Sequence, residues 1–299
     1  MERTRFGSWT RGSASLRRDS PRRVRSRAGD AVSASRSLRN LVKKIVVVGY
    51  PKSGCTWATR LVAELVGCPV AGFWQSDKKE IAMEGEERIS DFRCYKSHHQ
   101  LVELGLQPND PDAWLIYVLR DPRDIAISAA NYFQFDRFPG VAALFCSVRR
   151  GEKLYRHTLY PLLVSQNYRL DRMTDALLHG SAEVHNWCRV SWREHWRPYE
   201  QAGVPIIRYE DLLATPVEQS RRILGHLGIE RSAEAIAAAV ENQSFERKKA
   251  ALLRSGESGR AKFLRVGKSG QWREKFPAHL QARFSEELGA ELTRWGYPA

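Results

Sequence analysis

Residues 45–57 read Ile-Val-Val-Val-Gly-Tyr-Pro-Lys-Ser-Gly-Cys-Thr-Trp, and they are the strongest indication of how this chain folds. Their first four residues form a continuous apolar run, which is typical of a strand buried on both faces of a parallel sheet. From Thr56 to Val66, the apolar residues Leu61, Leu65 and Val66 have helical spacing. A strand, a tight turn and a helix are therefore predicted in direct succession.

The turn at 50–57 brings backbone N–H groups and the positive end of the helix dipole together, an arrangement that binds phosphate and other anions. Gly49 and Gly54 have the spacing of the phosphate loop G-x-x-x-x-G-K-[ST]. However, Cys55 stands at the lysine position of that motif, and the lysine comes earlier, as Lys52. The turn therefore predicts an anion site that differs from that of standard nucleotide triphosphatases.

Two further apolar runs, 115–119 and 204–207, are predicted strands. The first is followed by Asp121 and Pro122, a helix N-cap with proline in the first turn. This alternation of strands and helices predicts an α/β fold of three layers, a P-loop-like parallel sheet flanked by helices, in a single domain over 44–299.

Three later segments complete the predicted organisation. Thr215 and Glu218 have the spacing of a capping box at the start of an amphipathic helix. In the segment 280–292 every fourth residue is apolar, which predicts a helix packed on the core. The span 133–180 has weak periodicity and is predicted to be an irregular insertion or lid.

The positive charge is concentrated at the N-terminus. Of the net charge of +14, about +8 lies in residues 1–40, where Arg, Ser and Gly dominate. No apolar face repeats there, so burial could not offset the entropy of ordering the segment. Residues 1–43 are predicted to be a basic disordered arm, with a transit peptide, a nucleic-acid tail and an incorrectly assigned start codon as open interpretations.

Composition excludes several classes of protein. Apolar residues make up 42% of the 299 residues, enough to fill a core. No run approaches the roughly 20 apolar residues of a membrane span, so none is expected. The five cysteines include no C-x-x-C pair and are odd in number, which favours a reducing compartment and predicts a cytoplasmic location.

Residues 50–57, Tyr-Pro-Lys-Ser-Gly-Cys-Thr-Trp, closely resemble the 5′-phosphosulfate loop, YPKSGTTW, of the cytosolic sulfotransferase family. The resemblance implies an enzyme that uses 3′-phosphoadenosine 5′-phosphosulfate (PAPS), leaves 3′-phosphoadenosine 5′-phosphate (PAP) and requires no metal. Cys55 replaces a threonine of the family, which exchanges a hydroxyl donor for a weak thiol donor. The residues assigned to the cofactor here are Lys52, Ser53, Gly54, Cys55, Thr56 and Trp57.

The family's second signature is an Arg and a Ser eight residues apart that hold the 3′-phosphate. Arg120 directly follows the predicted strand 115–119, and Ser128 has the required spacing. Arginine offers a planar fork to phosphate oxygens, and the resemblance assigns both residues to that phosphate. An ion pair of Arg120 with Asp121 or Asp124 is the structural alternative.

A third segment, 264–272, resembles the family's RKGxxGDW pattern, with Val266 in place of a lysine and Gln271 in place of an acid. The resemblance assigns Arg265, Val266 and Gly267 to the 3′-phosphate. The family's C-terminal dimerisation segment, KxxxTVxxxE, is absent after 272, and the oligomeric state stays open. These departures favour a distant member of the family, such as a bacterial one.

The adenine ring is assigned to aromatic residues by two weaker resemblances. Tyr209 aligns with the family's YED segment, and Ser244 and Phe245 align with its (T/S)SF segment. Together with Trp57 they would supply stacking faces and a polar group for a purine, although buried aromatic residues also serve as ordinary core.

The segment Lys96-Ser97-His98 resembles the family's KTH segment, which supplies the catalytic base. Sulfuryl transfer needs a base for the acceptor's proton and cations for the negative charge that builds up on the bridging oxygen. We therefore assign His98 as general base, Lys52 to the leaving oxygen and Lys96 to the equatorial sulfuryl oxygens. His99 is an alternative base or metal ligand, but successive side chains of an extended segment point apart.

The acceptor is predicted to be a small molecule with a hydroxyl group, or less favourably an amine. Aromatic residues in the lid region favour a lipophilic alcohol or phenol, whereas Arg149, Arg150 and Lys153 would favour an acidic glycan. The aromatic residues are Phe133, Phe135, Phe138, Phe145, Tyr155 and Tyr160.

Two other functions remain as alternatives. A P-loop-like nucleotide kinase would need a divalent metal and a lysine after Gly54, where Cys55 stands. A non-catalytic binder of nucleic acid or heparin would use the basic arm, but no nucleic-acid partner is expected.

Overall fold

The computed structural model describes residues 42–76, 84–108, 110–133, 135, 160–254 and 268–299. These belong to a compact unit that begins at Val42. Residues 1–41 of the predicted arm lie outside the described residues, as do the assigned Arg265, Val266 and Gly267. The same holds for Phe138, Phe145 and Tyr155 of the predicted lid, and for Arg149, Arg150 and Lys153.

Five parallel strands form one sheet in the order β2-β3-β1-β4-β5. The predicted strand after residue 44 is the central one, and Ile45 to Val48 are fully buried because a strand lies on either side and helices cover both faces. The strands are β1 (Lys43–Val48), β2 (Val70–Phe73), β3 (Phe92–Ser97), β4 (Ala113–Leu119) and β5 (Ile206–Arg208).

Helices cover the two faces of the sheet, as the three-layer prediction requires. Helices α1, α7 and α8 pack with Ile45 and Val47 on one face, and α2, α4, α5 and α11 pack with Val46 and Val48 on the other. The helices are α1 (Cys55–Val66), α2 (Pro122–Ala130), α3 (Tyr160–Leu163), α4 (Gln166–His179), α5 (Trp192–Gln201), α6 (Tyr209–Ala214), α7 (Pro216–Leu227), α8 (Ala233–Asn242), α9 (Phe245–Arg254), α10 (Trp272–Lys275) and α11 (Ala278–Arg294). The predicted α/β fold is confirmed.

Two local predictions were wrong. Thr215 precedes α7, but its hydroxyl donates to the carbonyl of Asp211 (3.2 Å) and forms no capping box, because it also closes the end of α6. Part of the predicted irregular span 133–180 is helix α4, whose buried Leu170 and Leu177 pack in the core between α2 and α11.

The strand register sets where the site lies. Val48 pairs with Ser97 of β3 and with Tyr117 of β4. The three strands therefore end at the same edge of the sheet, where ligands bind in open α/β folds. The residues that follow them emerge side by side at this edge. None of the helices in the described part of the chain has the length and apolar character needed to cross a membrane.

Candidate active site

The loop between β1 and α1 has a strained backbone. Lys52 has φ of 72° and Gly54 has φ of 92°. Positive φ at a residue other than glycine costs about 1–3 kcal/mol and persists where the surroundings impose it. Here the guanidinium Nη1 of Arg120 donates to the carbonyl oxygen of Lys52 (3.1 Å) and ties the loop to the end of β4.

The loop also holds hydrogen-bonding groups that the described residues leave unsatisfied. Helix α1 begins without a side-chain cap, so its first N–H groups face the loop. Within the described part of the chain, the buried Ser53 hydroxyl and Arg120 Nε have no hydrogen-bond partner. Leaving such groups unpaired costs about 1–3 kcal/mol each, and an anion with several acceptor oxygens would satisfy them.

Arg120 lies between three of the predicted binding segments. Its guanidinium lies 4.4 Å from the ring centre of Tyr209, and its Nη2 donates to the carbonyl oxygen of Lys268 (3.4 Å). The nearest carboxylate, Asp124, is 4.0 Å away and mainly accepts hydrogen bonds from the backbone N–H of Gly270 (2.6 Å) and of Trp272 (3.1 Å). Among the described residues, Asp124 is the carboxylate that pairs with this guanidinium.

Of the two acidic residues near Arg120, Asp124 forms a long ion pair with it (4.0 Å), whereas Asp121 serves other groups. Asp121 caps α2 and binds the guanidinium of Arg123 (2.9 Å), so it is not the partner of Arg120. Ser128 is partly exposed and lies one helical turn beyond Asp124 on the same face of α2. The assignment of Ser128 to the phosphate beside Arg120 stays a prediction, and the assigned 265–267 lies outside the described residues.

Two of the predicted adenine residues, Trp57 and Tyr209, are in contact near the start of α1. The rings of Trp57 and Tyr209 meet edge to face, with centroids 5.8 Å apart. The indole N–H of Trp57 donates to the carbonyl oxygen of Gln243 (2.8 Å), which places it next to Ser244 and Phe245. The Ser244 hydroxyl accepts from the backbone of the first turn of α9, and Phe245 is partly buried.

The loop between β1 and α1 holds His98 in one tautomer. Its Nδ1 lies 2.6 Å from the carbonyl oxygen of Gly49. Because a carbonyl oxygen only accepts, Nδ1 carries the proton and Nε2 keeps its lone pair. Burial lowers the pKa of His98 well below 6.5, and the charge of Lys96 lowers it further. His98 is therefore neutral near pH 7, with Nε2 as its basic nitrogen.

Two lysines lie near this imidazole. Lys96, two residues earlier on β3, has its Nζ 5.7 Å from the ring centre of Phe73. Lys52 has its Nζ 3.7 Å from the ring centre of Tyr132, the residue that follows α2 by two positions. Both ammonium groups lower the pKa of His98. The three predicted catalytic residues are thus brought together as a neutral base beside two cations.

Cys55 presents its backbone and not its thiol to the loop. Its side chain is buried among Ile45 and Val47, and a Cβ on Gly49 would lie 2.7 Å from the Cys55 Sγ. Burial raises the pKa of Cys55 to about 12. The backbone N–H is the group that Cys55 can offer to an anion, and its neighbour Thr56 is partly buried at the start of α1.

His98 and His99 both contact the same two aromatic rings, those of Phe73 and Trp187. The rings of His98 and His99 lie 5.7 Å and 5.9 Å from that of Phe73, and His99 contacts Trp187 edge to face at 4.6 Å. The chain leaves β3 at Ser97, and the expectation that the two imidazoles point apart stays a prediction. The His99 Nδ1 is 2.9 Å from the Ser97 hydroxyl, so that nitrogen is already engaged.

Sequence analysis missed the aromatic residues that contact the two histidines, Phe73 and Trp187, and the one that contacts Lys52, Tyr132. Phe73 ends β2, Trp187 lies in a short 3₁₀ helix, and Tyr132 follows α2. Each comes from a different element, so no spacing along the chain links it to His98. Among the described residues, no group of three or more His, Cys, Asp or Glu could hold a metal ion.

Gly54 is where a small substitution should have a measurable structural effect. A Cβ there would lie 2.5 Å from the ring of Tyr209, and φ of 92° is unfavourable for alanine. We expect Gly54→Ala to lower the free energy of unfolding by about 1–3 kcal/mol in urea denaturation. The matched control is Gly289→Ala in α11, where an added Cβ has nothing within 4 Å. That variant should gain up to about 1 kcal/mol, and equal losses at both positions would contradict the strained-loop interpretation.

Known proteins match the chain over most of its length. The family model described as a sulfotransferase domain matches residues 42–296. Sulfotransferase 1A1 of Rattus norvegicus is 20% identical in an alignment 274 positions long that covers 83% of this chain and 84% of that protein. Sulfotransferase 1B1 of Canis lupus familiaris is 22% identical in an alignment 273 positions long that covers 83% of each protein.

Solved structures share the fold. Mouse sulfotransferase SULT7A1, complexed with PAP, has a TM-score of 0.55 at 21% identity and covers 84% of this chain and 85% of its own. Retinol dehydratase, in a complex with retinol and PAP, has a TM-score of 0.51 at 18% identity, with coverages of 83% and 81%.

Proposed function

Because the chain belongs to the sulfotransferase domain family, we propose that it transfers the sulfuryl group of PAPS to a hydroxyl group of a small acceptor. The observation that carries this proposal is the bond from Arg120 to the carbonyl oxygen of Lys52 (3.1 Å). It joins the loop that would hold the 5′-phosphosulfate to the arginine that would hold the 3′-phosphate. The unsatisfied Ser53 hydroxyl and Arg120 Nε are donors that fit phosphate oxygens.

The residues that would hold PAPS divide into three groups. The loop 52–57, with the N-terminus of α1, would hold the 5′-phosphosulfate. Arg120 and Ser128 would hold the 3′-phosphate, and the family motif adds 265–267 to them. Trp57, Tyr209, Ser244 and Phe245 would enclose the adenine, which fits the PAP complexes of the two structural neighbours.

The catalytic roles follow from the protonation states. PAPS supplies an activated sulfuryl group when bound. His98, neutral and with a free lone pair on Nε2, would take the proton of the acceptor hydroxyl. Lys52 would offer its charge to the oxygen that leaves with the nucleotide, and Lys96 would offer its charge to the sulfuryl oxygens.

The acceptor that fits this site is a lipophilic alcohol or phenol. The aromatic rings of Phe73 and Trp187 lie beside His98, and the ring of Tyr132 lies beside the ammonium group of Lys52. Two retinol dehydratase structures hold androsterone or retinol together with PAP, which supports an apolar acceptor for a site of this fold. An amine acceptor is less favoured, and an acidic glycan is the alternative that the basic lid residues suggest.

Calorimetry of the full chain with PAP in EDTA tests the cofactor. We expect saturable binding with one PAP per chain and little dependence on added magnesium, because the phosphate-binding groups are N–H and guanidinium donors. Binding that requires magnesium would favour the nucleotide kinase instead. Absence of PAP binding, together with heparin binding that falls steeply with salt, would favour the non-catalytic binder.

A transfer assay with sulfur-labelled PAPS tests the acceptor class. Phenols, sterols, aliphatic amines and an acidic glycan form its four arms. Label in the phenol or sterol arm supports the proposal, and label in the glycan arm alone would overturn the lipophilic assignment.

We also propose a cytoplasmic enzyme whose basic arm is separate from the domain. The free thiols of Cys55, Cys68, Cys94 and Cys188 fit a reducing compartment.

A further inference from the structure

We propose that His195 and Tyr199 of helix α5 are positioning residues, which hold the backbone of His98 and His99 and so fix the catalytic imidazole. The inference rests on the proposed function, in which His98 is the general base. We call the pair His195 and Tyr199 the carbonyl clamp.

The clamp binds two successive carbonyl groups. The His195 Nε2 lies 3.1 Å from the carbonyl oxygen of His98, and the Tyr199 hydroxyl donates to that of His99 (2.8 Å). His195 and Tyr199 are four residues apart and share one face of α5. Both are buried, with 1% and 0% of their surface exposed. Two donors of one helix thus satisfy the segment that follows β3.

The proton positions in the clamp follow from its partners. Because the carbonyl of His98 only accepts, the proton of His195 is on Nε2 and its Nδ1 is an acceptor. The hydroxyl of Tyr117, 2.8 Å from that Nδ1, is then the donor. The Tyr117 ring also packs on Tyr199, with centroids 4.9 Å apart. Each polar atom of this buried group therefore has a partner, which favours a single arrangement.

Helix α5 is a firm support for the clamp. It begins with a capping box in which the Ser191 hydroxyl accepts from the Glu194 N–H and the Glu194 carboxylate accepts from the Ser191 N–H. Trp192 and Trp196 are fully buried in the core. A rigid helix that binds a loop backbone limits how far the loop can move.

The clamp and the loop between β1 and α1 hold different parts of His98. The Gly49 carbonyl fixes the ring through Nδ1, whereas His195 fixes the backbone carbonyl of the same residue. Together they determine where Nε2 points. Misplacement of a catalytic group by about 1 Å costs on the order of a hundredfold in rate.

Several charged groups face these imidazoles. Lys96 of β3, Lys52 of the loop and His195 of α5 all lower the pKa of His98. Burial lowers the pKa of His195 to about 4, so the clamp is neutral in the working pH range.

The charges nearest to His195 partly offset one another. Glu103 raises its pKa, whereas Arg189 and His99 lower it. Glu103 and Arg189 also form an ion pair with each other. The pH dependence of kcat in the clamp variants should therefore reflect the titration of His98 and not that of His195.

The test compares His195→Leu with His195→Gln in the full chain. Leucine removes the donor to His98, whereas the amide nitrogen of glutamine reproduces Nε2. We expect His195→Leu to lower kcat on the order of ten- to a hundredfold, with PAP affinity unchanged, and His195→Gln to recover most of that loss. A released imidazole is less buried, so its pKa rises toward 6.5 and the acid limb of kcat moves to higher pH.

The pKa of His98, measured by nitrogen NMR of labelled histidine, provides a readout that needs no turnover. This pKa should rise in His195→Leu and in Tyr199→Phe. The second variant keeps the aromatic packing and provides the test if the leucine variant does not fold. Tyr297→Phe is the matched control, since it deletes an equally buried hydroxyl whose partner is Glu210 (2.9 Å). The control should lose stability and leave the pKa of His98 unchanged.

The outcomes separate the clamp from the proposed function. If kcat falls while the pH profile of kcat and the pKa of His98 stay unchanged, His195 and Tyr199 contribute ordinary packing only. That result would overturn the clamp proposal. If the wild-type chain transfers no label from PAPS, the proposed function fails. In that case the NMR titration still supports or overturns the hold on His98.

Discussion

His98→Asn should bind PAP as tightly as the wild-type chain and transfer the sulfuryl group roughly 10²- to 10⁴-fold more slowly. The amide nitrogen of asparagine reproduces Nδ1, which lies 2.6 Å from the Gly49 carbonyl oxygen, so the loop keeps its contact. The variant lacks the nitrogen at Nε2 that would take the acceptor's proton. Steady-state kinetics with PAPS, beside calorimetry with PAP, measures the two effects separately.

His99→Asn is the matched control for this prediction. Its ring lies in the same aromatic surroundings, but its Nδ1 is 2.9 Å from the Ser97 hydroxyl. We expect a much smaller change in kcat. A variant of His98 that keeps wild-type turnover, or a larger loss at His99, would assign the base to another residue.

Arg120→Met should weaken PAP by about ten- to a hundredfold, because a hydrogen bond to a charged group contributes about 1.5–3 kcal/mol. Methionine keeps the long stem and removes the guanidinium. Adenosine 5′-phosphosulfate, which lacks the 3′-phosphate, should lose far less affinity. Calorimetry with both nucleotides gives the ratio that tests the position of this arginine.

Arg222→Met is the control for a lost surface charge. Arg222 lines a small cavity with Pro205 and Ile206 beside β5, and it donates to Gln219. Replacement of Arg222 should change neither the affinity for PAP nor the affinity for adenosine 5′-phosphosulfate. Equal weakening of the two nucleotides by Arg120→Met would mean that the guanidinium acts on the loop through the Lys52 carbonyl, and not on the 3′-phosphate.

The sequence was most informative where chemistry is local. The run 45–48 and the turn after it predicted a buried strand and a helix, which are confirmed, because each depends on neighbouring residues alone, whereas the anion site stays a prediction. Arg120 was placed correctly at the end of β4 for the same reason. Its true contacts with Lys52 and Lys268 needed the fold, since these residues are 68 and 148 positions away.

Other features were beyond sequence reasoning because they depend on competition or on distant partners. The hydroxyl of Thr215 could bond to an N–H group at the start of α7 or to a carbonyl group at the end of α6. In the structure it donates to the carbonyl of Asp211 in α6. The spacing of His195 and Tyr199 indicates only that they share a helix face. That this face meets the residues after β3 follows from the packing of α5 on the sheet.

The bond between Gly49 and His98 has a consequence for protein engineering. Gly49, which opens the proposed nucleotide-binding turn, also holds His98, the proposed proton acceptor, in its tautomer. Any redesign that widens this turn for a bulkier or differently charged cosubstrate will also shift the basicity and aim of the imidazole. A substitution at Gly49 is therefore expected to change cosubstrate selectivity and turnover together. Variant libraries at this position should be screened for both properties.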